Sequence, residues 1–207
     1  MSQEIIQGAP AGMPLRIPQS IETERLTLRC PRLDDGQMLH AAIVESAERL
    51  HPWFAWPAGA KLTLKRSVAT TRFARWCFLA GRELQFLILH DERENLLGVT
   101  GLCNPDWTRR HFEISYWLRS GCEGHGYATE AVAALTAFAF QRLGGRRLEI
   151  RCVPENKAAV ALPLKLGYTL EKVLPRAQRG HNSGTWHDVA VFVRMHPRNC
   201  AAPWPTG

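Results

Sequence analysis

The spacing of apolar residues along the chain predicts strands and helices in a mixed order. Polar and apolar residues alternate over residues 25–29, as they do in a half-buried strand. Apolar residues recur at helical spacing over residues 33–50 and 62–79. Turn-forming residues then separate three β-prone runs, which predict an antiparallel meander of strands at 84–90, 96–102 and 112–118.

Beyond residue 118, helical and strand-like patterns alternate. The predicted helices cover residues 129–143 and 157–166, and the predicted strands cover 147–153, 169–176 and 185–195. The order of elements indicates the α/β (α+β) class, with a mixed central sheet of about six or seven strands, flanked by about four helices and beginning with an antiparallel meander.

The distribution of glycine and proline delimits one folded domain. Gly8, Pro10, Gly12, Pro14 and Pro18 interrupt the beginning of the chain, and the last residues have a similar composition. We therefore expect a flexible N-terminal tail at 1–20, a domain at 21–196 and a C-terminal tail at 197–207.

The hydrophobic pattern gives no sign of a membrane segment or an export signal. The longest nearly uncharged apolar run, Ala131–Phe140, is about half as long as the ~20 residues that a membrane-spanning helix needs. The N-terminus lacks both the basic and the apolar region of a secretory signal. These features favour a cytoplasmic protein with no membrane partner.

Charge and cysteine content narrow the range of partners. The chain has a formal net charge of +7, but its arginines are scattered, whereas nucleic-acid-binding proteins concentrate them on one face. This favours a solvated basic surface over a nucleic-acid partner, and such a surface can still attract the phosphates of a nucleotide. The six cysteines form no C-x-x-C pair or Cys/His cluster, so we expect free thiols and no metal site.

Residues 122–128 form a glycine-rich turn between a predicted strand and a predicted helix. Gly124 and Gly126 leave space for an anion beside backbone amides, and the helix N-terminus points its free N–H groups to the same place. The alternative is a turn that uses glycine only for its geometry. The segment matches neither the P-loop nor the dinucleotide-binding fingerprint, which argues against nucleotide hydrolysis and hydride transfer.

The segment Glu123–Ala128 resembles the pyrophosphate-binding loop, Q/R-x-x-G-x-G/A, of the GCN5-related N-acetyltransferase (GNAT) superfamily. Further blocks follow the order of the RimJ/RimL-like branch of that superfamily. They are residues 50–57, 112–118 and 126–131, then Asn156 with 165–168, and finally 186–189.

The resemblance implies the GNAT fold, acetyl-CoA as acyl donor, and direct attack of an amine on the thioester in a ternary complex. It also assigns site residues. Those that would bind acetyl-CoA are Trp117, Leu118, Glu123, Gly124, His125, Gly126, Tyr127, Ala128, Thr129 and Asn156. Those that would wall the acceptor pocket are Trp53, Trp56 and Tyr116.

The acceptor implied by the RimJ/RimL-like branch is the α-amine of a protein or peptide N-terminus. Such an amine has a pKa of about 7.7–8.0, against about 10.4 for lysine, so losing its proton at pH 7 costs about 1 kcal/mol instead of roughly 4.6. Two alternatives stay open, a small-molecule amine as acceptor and a non-catalytic coenzyme A-binding module. The resemblance is also compatible with a homodimer.

The chain departs from the family pattern at four positions. Glu123 replaces the usual glutamine or arginine and brings a carboxylate to the pyrophosphate loop. Ala159 and Pro163 stand where relatives carry the serine or tyrosine thought to protonate the leaving thiolate, and the proline is expected to kink or delay its helix. Gln178 lies near a glutamate that can act as base in some relatives.

Glu113 is the candidate general base, because it lies on the strand that borders the acetyl group in the family. The alternative for Glu113 is an ion pair with an arginine. His111 is a second candidate, since the ordinary pKa of histidine, about 6.5, suits proton transfer near neutral pH.

Overall fold

The computed structural model describes residues 10–14, 16–50, 52–53, 62–90, 95–179 and 185–197. Within these ranges the chain forms eight strands and four helices. In chain order they are β1 (Ser20–Glu22), β2 (Leu26–Arg29), α1 (Gly36–Leu50), α2 (Leu64–Leu79), β3 (Leu84–His90), β4 (Leu96–Asp106), β5 (His111–Leu118), α3 (Tyr127–Gln141), β6 (Arg147–Cys152), α4 (Lys157–Lys165), β7 (Thr169–Arg179) and β8 (Trp186–Met195).

All eight strands belong to one sheet, in the order β1-β2-β3-β4-β5-β6-β8-β7. Neighbouring strands are antiparallel except for β5 and β6, which are parallel because α3 carries the chain from the end of one strand back to the start of the other. The predicted mixed class, meander and four helices are confirmed. The sheet has one strand more than predicted, the three-residue β1.

The parallel pair β5–β6 is shorter than its two strands. Its last register pair is Ile114 with Ile150, although β5 continues to Leu118 and β6 to Cys152. On its other side, β5 remains paired with β4 as far as Leu118. The sheet therefore opens between β5 and β6 beyond Ile114.

Helices cover both faces of the sheet, which explains why β3 is an almost continuous apolar run. Phe86 and Ile88 face the larger core cluster together with Leu135 and Phe138 of α3. The alternate β3 residues, Leu87 and Leu89, point to the other face of the sheet. There they form a second, smaller core cluster with residues of α1 and β4: Leu39, Ala42, Leu96 and Val99. Strand β3 thus anchors both layers.

The ends of the elements follow local chemistry. Thr63 caps α2 by accepting a hydrogen bond from the Arg66 amide, and Asn156 caps α4 by accepting one from the Ala159 amide at 3.1 Å. Strand β4 was predicted to end at residue 102 but continues to Asp106. The register shifts between Cys103 and Asp106, and Asn104 has a φ of 48°, so the turn-like sequence there forms an irregularity inside the strand.

The ordered domain includes part of the segment that we expected to be a tail. Met13 and Ile17 are partly buried against the larger core cluster, and the Met13 side chain lies against Gly81. The rest of the two expected tails, residues 1–9 and 198–207, lies outside the described residues.

Two features of the described residues bear on partners. None of the described helices is both long and apolar enough to cross a membrane. In the same part of the chain, no three His, Cys, Asp or Glu side chains are grouped so that they could hold a metal ion. The cysteines at positions 30, 77, 103, 122 and 152 are free thiols, and Cys200 lies outside the described residues.

Candidate active site

A cleft of about 410 Å³ opens where β5 and β6 part. Strand β5 contributes Tyr116, Trp117 and Leu118 to its lining, and α4 contributes residues between Asn156 and Lys165. The N-terminus of α3, the glycine-rich turn before it, the last turn of α1 and Trp53 also line the cleft. The volume lies in the range of small-molecule sites, and the cleft brings together most of the residues that the sequence predicted.

The glycine-rich turn is folded as an anion-binding turn should be. Gly121, Gly124 and Gly126 have φ values of 81°, 78° and 81°, a region that only glycine adopts without strain. Gly126 is the N-cap of α3 and has no side chain to satisfy the amides of the first turn. Those amides are free to receive an anion, and the helix dipole favours negative charge at the same point.

The negative charge of Glu123 is compensated by neighbouring groups. One carboxylate oxygen accepts a hydrogen bond from the Gly121 amide at 2.9 Å, and the other forms an ion pair with Nε of Arg49 at 2.6 Å. Arg49 also donates to the Leu118 carbonyl and to the Ser120 hydroxyl. The arginine therefore links α1, the end of β5 and the turn.

Arg49 lines the cleft and was not predicted from the sequence. It stands in the last turn of α1, where a basic residue is a common complement to the helix dipole. Its position just before the family block at residues 50–57 is the only signal that could have singled it out.

A second arginine supports the turn from β2. Arg25 binds the Glu130 carboxylate through Nε at 2.7 Å and through its backbone amide at 3.0 Å, and it donates to the His125 carbonyl. Thr23 donates a further hydrogen bond to Glu130 at 2.7 Å. Burial of the Glu130 carboxylate tends to raise its pKa, but the hydrogen bonds from Thr23 and Arg25 outweigh this and hold the pKa below its ordinary value.

Aromatic contacts complete the support of the turn. The Arg25 guanidinium lies 4.9 Å from the centre of the Tyr127 ring, and the His125 ring stacks on the same ring with centroids 5.6 Å apart. Tyr127 lies in the described lining of the cleft, whereas His125 does not. Of the ten residues predicted to bind acetyl-CoA, His125 is the one that lies outside the described lining.

Tyr116 crosses the cleft to α4. Its hydroxyl donates a hydrogen bond to the Ala159 carbonyl at 3.2 Å. That carbonyl would ordinarily accept from the amide four residues later, but this residue is Pro163, which has no N–H. Helix α4 nevertheless starts at Lys157 and continues past the proline, so the helix does not begin late. Burial, followed by the proximity of Cys152, raises the pKa of the Tyr116 phenol well above its ordinary value.

The two candidate bases lie outside the described lining of the cleft. Glu113 accepts a hydrogen bond from the side-chain amide of Asn104 (Nδ2) at 3.2 Å and forms an ion pair with Arg151 at 3.5 Å. Since side chains alternate along a strand, Glu113 and Tyr116 point to opposite faces of β5. His111 lies within 3.0 Å of the buried Glu149 carboxylate, which also binds Arg147 and Arg151.

The acceptor side of the cleft is described in part. Trp53 lines the cleft, and its carbonyl accepts a hydrogen bond from the Gln178 side chain at 2.9 Å. Gln178 thus ties β7 to the segment after α1. Trp56, the other predicted wall of the acceptor pocket, lies outside the described residues.

Comparison with known proteins gives a consistent picture. The family profile described as "Acetyltransferase (GNAT) domain" matches residues 25–169. The "Putative ribosomal N-acetyltransferase YdaF" of Bacillus subtilis (strain 168) is 28% identical over 172 residues, which are 82% of this chain and 90% of that protein.

Solved structures share the fold. The Microcin C7 self-immunity acetyltransferase MccE, in complex with acetyl-CoA and AMP, superposes with a TM-score of 0.78 at 25% identity, covering 86% of this chain and 97% of that one. RimL, a ribosomal L7/L12 alpha-N-protein acetyltransferase in complex with coenzyme A, gives a TM-score of 0.79 at 22% identity, covering 85% and 97%. At that identity, RimL shows the fold alone.

The family profile runs from the start of β2 to the first residue of β7. It includes the glycine-rich turn, both strands that border the opening in the sheet, and α4. The chain therefore belongs to the GNAT family, and it is an N-acetyltransferase that takes its acetyl group from acetyl-CoA.

Proposed function

We propose that the cleft between β5 and β6 is the active site and that its acceptor is the α-amine of a protein or peptide N-terminus. One observation carries the choice of acceptor. The only carboxylate among the described lining residues, Glu123, is ion-paired with Arg49, so this lining offers no free base. An α-amine needs the least help, because roughly a tenth or more of it is neutral at pH 7.

The relatives support the same acceptor class. The Bacillus subtilis relative is named as a ribosomal N-acetyltransferase, and a relative from Escherichia coli (strain K12), 27% identical over 115 residues, is a ribosomal-protein-serine acetyltransferase. RimL is named as an alpha-N-protein acetyltransferase. These names describe those proteins, and they make a protein N-terminus the first acceptor to test here.

The donor fits the chemistry of the cleft. The free amides at the start of α3 and in the glycine-rich turn suit the pyrophosphate, with Tyr127, Ala128 and Thr129 in the first turn. Arg49 and Lys165 add positive charge to the lining. On the side of β5 that faces the opening, backbone groups beyond Ile114 have no partner in β6 and suit the amides of the pantetheine arm.

The chain's contribution to the reaction is positioning and hydrogen bonding. The amine nitrogen attacks the thioester carbonyl and loses a proton, the C–S bond breaks, and coenzyme A leaves as a thiol after taking up a proton, so the enzyme never holds the acetyl group covalently. Backbone N–H groups of β5 in the opening would stabilise the oxyanion. Glu113 stays the alternative: it would act as general base only through water, because its side chain lies on the other face of the strand and outside the described lining.

The proposal is tested by thiol release from acetyl-CoA with matched acceptors. The first is a short peptide with a free N-terminus and no lysine, and the second is the same peptide with a blocked N-terminus and one internal lysine. The proposal expects thiol release with the first peptide only. Release with the second peptide alone, or only with small amines such as polyamines, would replace the proposed acceptor by one of those classes.

The non-catalytic alternative has a distinct outcome. A module that only binds coenzyme A would show micromolar binding of acetyl-CoA by calorimetry and no thiol release with any acceptor. Binding that is lost in Gly126→Glu, together with release from the free-N-terminus peptide, would support this cleft as the site.

A further inference from the structure

Tyr116 places a hydroxyl at the opening of the sheet. It lies two residues beyond Ile114, the last β5 residue paired with β6, and its side chain crosses to α4. The other described hydroxyls that line the cleft, Tyr127 and Thr129, belong to the first turn of α3. Tyr116 is therefore the only hydroxyl of the described lining outside the anion-binding end.

The Tyr116 hydroxyl is hydrogen-bonded to a carbonyl of α4 that has no donor within the helix. Pro163 provides no N–H to the Ala159 carbonyl, so the helix leaves this acceptor open and the phenol of Tyr116 fills it at 3.2 Å. The methyl side chain of Ala159 adds no competing polar group. The orientation of the Tyr116 proton is therefore set by one neutral acceptor.

Acetyl transfer creates a stronger acceptor in the same cleft. When the C–S bond breaks, the electron pair goes to sulfur and leaves a thiolate. A hydrogen bond to an anion is roughly twice as strong as one to a neutral carbonyl. A phenol proton that is shared between these two acceptors will favour the carbonyl before the reaction and the sulfur as charge develops.

We propose that the Tyr116 hydroxyl is the hydrogen-bond donor to the leaving thiolate of coenzyme A, and that Pro163 positions it by reserving the Ala159 carbonyl for it. The inference rests on the proposed use of this cleft for acetyl transfer. Tyr116 does not give up its proton in this scheme. The amine nitrogen loses one proton to solvent as the amide forms, and the thiolate takes one from solvent, so atoms and charge balance.

The environment of the phenol agrees with a donor that keeps its proton. Tyr116 is partly buried where its side chain reaches α4, and this burial raises its pKa above the ordinary value. A thiol has an ordinary pKa of about 8.5, so the thiolate is the weaker base of the two and can be stabilised by the phenol without removing its proton.

The first test separates the proposed chemistry from the support that Tyr116 gives to α4. Tyr116→Phe keeps the ring and removes the donor, whereas Pro163→Ala supplies an N–H to the Ala159 carbonyl. We expect Tyr116→Phe to lower kcat for the free-N-terminus peptide by about 10- to 100-fold, the worth of a hydrogen bond to a charged group. Its KM for acetyl-CoA should stay within about threefold. Tyr116→Phe should also lower the thermal stability, because the Ala159 carbonyl loses its hydrogen-bond donor. The double variant Tyr116→Phe/Pro163→Ala should regain that thermal stability but not kcat.

The second test reads the thiolate directly, without turnover. The affinity of coenzyme A is measured by calorimetry from pH 6.5 to 9.5 and divided by the affinity of desulfo-coenzyme A, which lacks the sulfur. If Tyr116 donates to the thiolate, the unmodified enzyme binds the ionised form more tightly. This affinity ratio should then rise by about tenfold or more as the pH increases past the thiol pKa of about 8.5. In Tyr116→Phe the rise should be lost.

The outcomes distinguish the inference from the proposed function. If the unmodified enzyme binds coenzyme A and acetylates the peptide, but Tyr116→Phe retains kcat and the pH-dependent ratio, the inference is wrong and the proposed function stands. Recovery of kcat in the double variant would reduce Tyr116 to a structural support of α4. Failure of the unmodified enzyme to bind coenzyme A would overturn the proposed function and the inference together.

Discussion

Glu123 stands where the family loop usually carries glutamine or arginine, and its carboxylate is turned toward Arg49 and the Gly121 amide. The positive charge that the loop position lacks is supplied from the last turn of α1. Both side chains are about two-fifths exposed, at 43% and 41%, so the pair adds little to stability. Its importance lies in the net charge beside the anion-binding turn.

Changing this charge gives the first prediction. Glu123→Gln removes the carboxylate and frees Arg49 to face the phosphates, so the affinity for acetyl-CoA should rise by about two- to fivefold at low ionic strength, with a smaller gain in high salt. Calorimetric titration at two salt concentrations checks this.

Two variants serve as controls for that measurement. Arg49→Ala should weaken binding, because it leaves Glu123 uncompensated. Glu45→Gln breaks a similar exposed pair with Arg119, and neither residue belongs to the described lining, so affinity should not change. Weaker binding in Glu123→Gln would mean that the carboxylate itself organises the turn.

At the level of elements, the sequence predicted the regular structure better than its ends. Strand β3 and the meander are correct because long apolar runs must be buried on both faces of a sheet. The three-residue β1 has polar ends and no periodicity, so only its pairing with β2 reveals it. The turn-like residues near Asn104 stay in β4 because pairing with β5 outweighs their local preference.

The candidate site, too, was predicted only in part. The glycine-rich turn was predicted because an anion site built from backbone needs glycine at fixed positions, and spacing shows that. Arg49 and Gln178 act through contacts between residues far apart in sequence, which spacing does not show. The hydrogen bond of Tyr116 could not be predicted for the same reason. Its acceptor, the Ala159 carbonyl that Pro163 leaves without a donor, lies on α4, whereas Tyr116 lies on β5.

The second prediction concerns the conformation of the turn. Gly126→Ala forces a side chain into the left-handed region and should lower the free energy of unfolding by about 1–2 kcal/mol. It should also weaken acetyl-CoA binding about tenfold, since relief of the strain turns the α3 amides away. Denaturant unfolding and calorimetry measure the two effects.

Gly144→Ala is the matched control. Gly144 has a φ of 65°, its added Cβ would meet no atom within 4 Å, and it lies outside the described lining. It should lose similar stability and keep its affinity. Equal loss of affinity in both variants would show that general destabilisation, not the turn, controls binding.

The third prediction concerns the charge of Glu130, which links α3 to Arg25 just before β2. Glu130 has a lowered pKa, so its contribution to stability is present above the unfolded pKa of about 4.3 and is lost as the pH falls through the folded value. Glu130→Gln should cost about 1–3 kcal/mol at pH 7 and less at pH 3. Urea unfolding at both pH values checks this, and an equal cost at pH 3 would contradict a role for the charge.

At the scale of the whole molecule, the architecture supports different positions for the proposed donor and the proposed acceptor. The turn and the start of α3 bring amides to the cleft beside Arg49, while Trp53, which follows α1, lines it from another part of the chain. Between them the sheet is open from Ile114 onward, so the thioester can lie where strand groups are unpaired. The fold supplies position, and the acceptor amine must supply most of its own basicity.

This dependence on the acceptor gives the fourth prediction. With a peptide whose only amine is its N-terminus, kcat/KM should rise with pH and level off near the α-amine pKa of about 7.7–8.0. A profile that is instead flat from pH 5 to 9 would mean that the enzyme supplies the base, and Glu113→Gln would then lower kcat/KM. Initial rates of thiol release between pH 5 and 9 decide between these profiles.

The most direct measurement is the position of the acetyl group on a peptide that offers both amines. A peptide with a free N-terminus and one internal lysine is incubated with enzyme and acetyl-CoA at pH 7, and the product is sequenced by tandem mass spectrometry. We expect the acetyl group on the α-nitrogen, with Gly126→Glu giving no product. Acetyl on the lysine ε-nitrogen, or none on a peptide that the enzyme binds together with acetyl-CoA, would contradict the account.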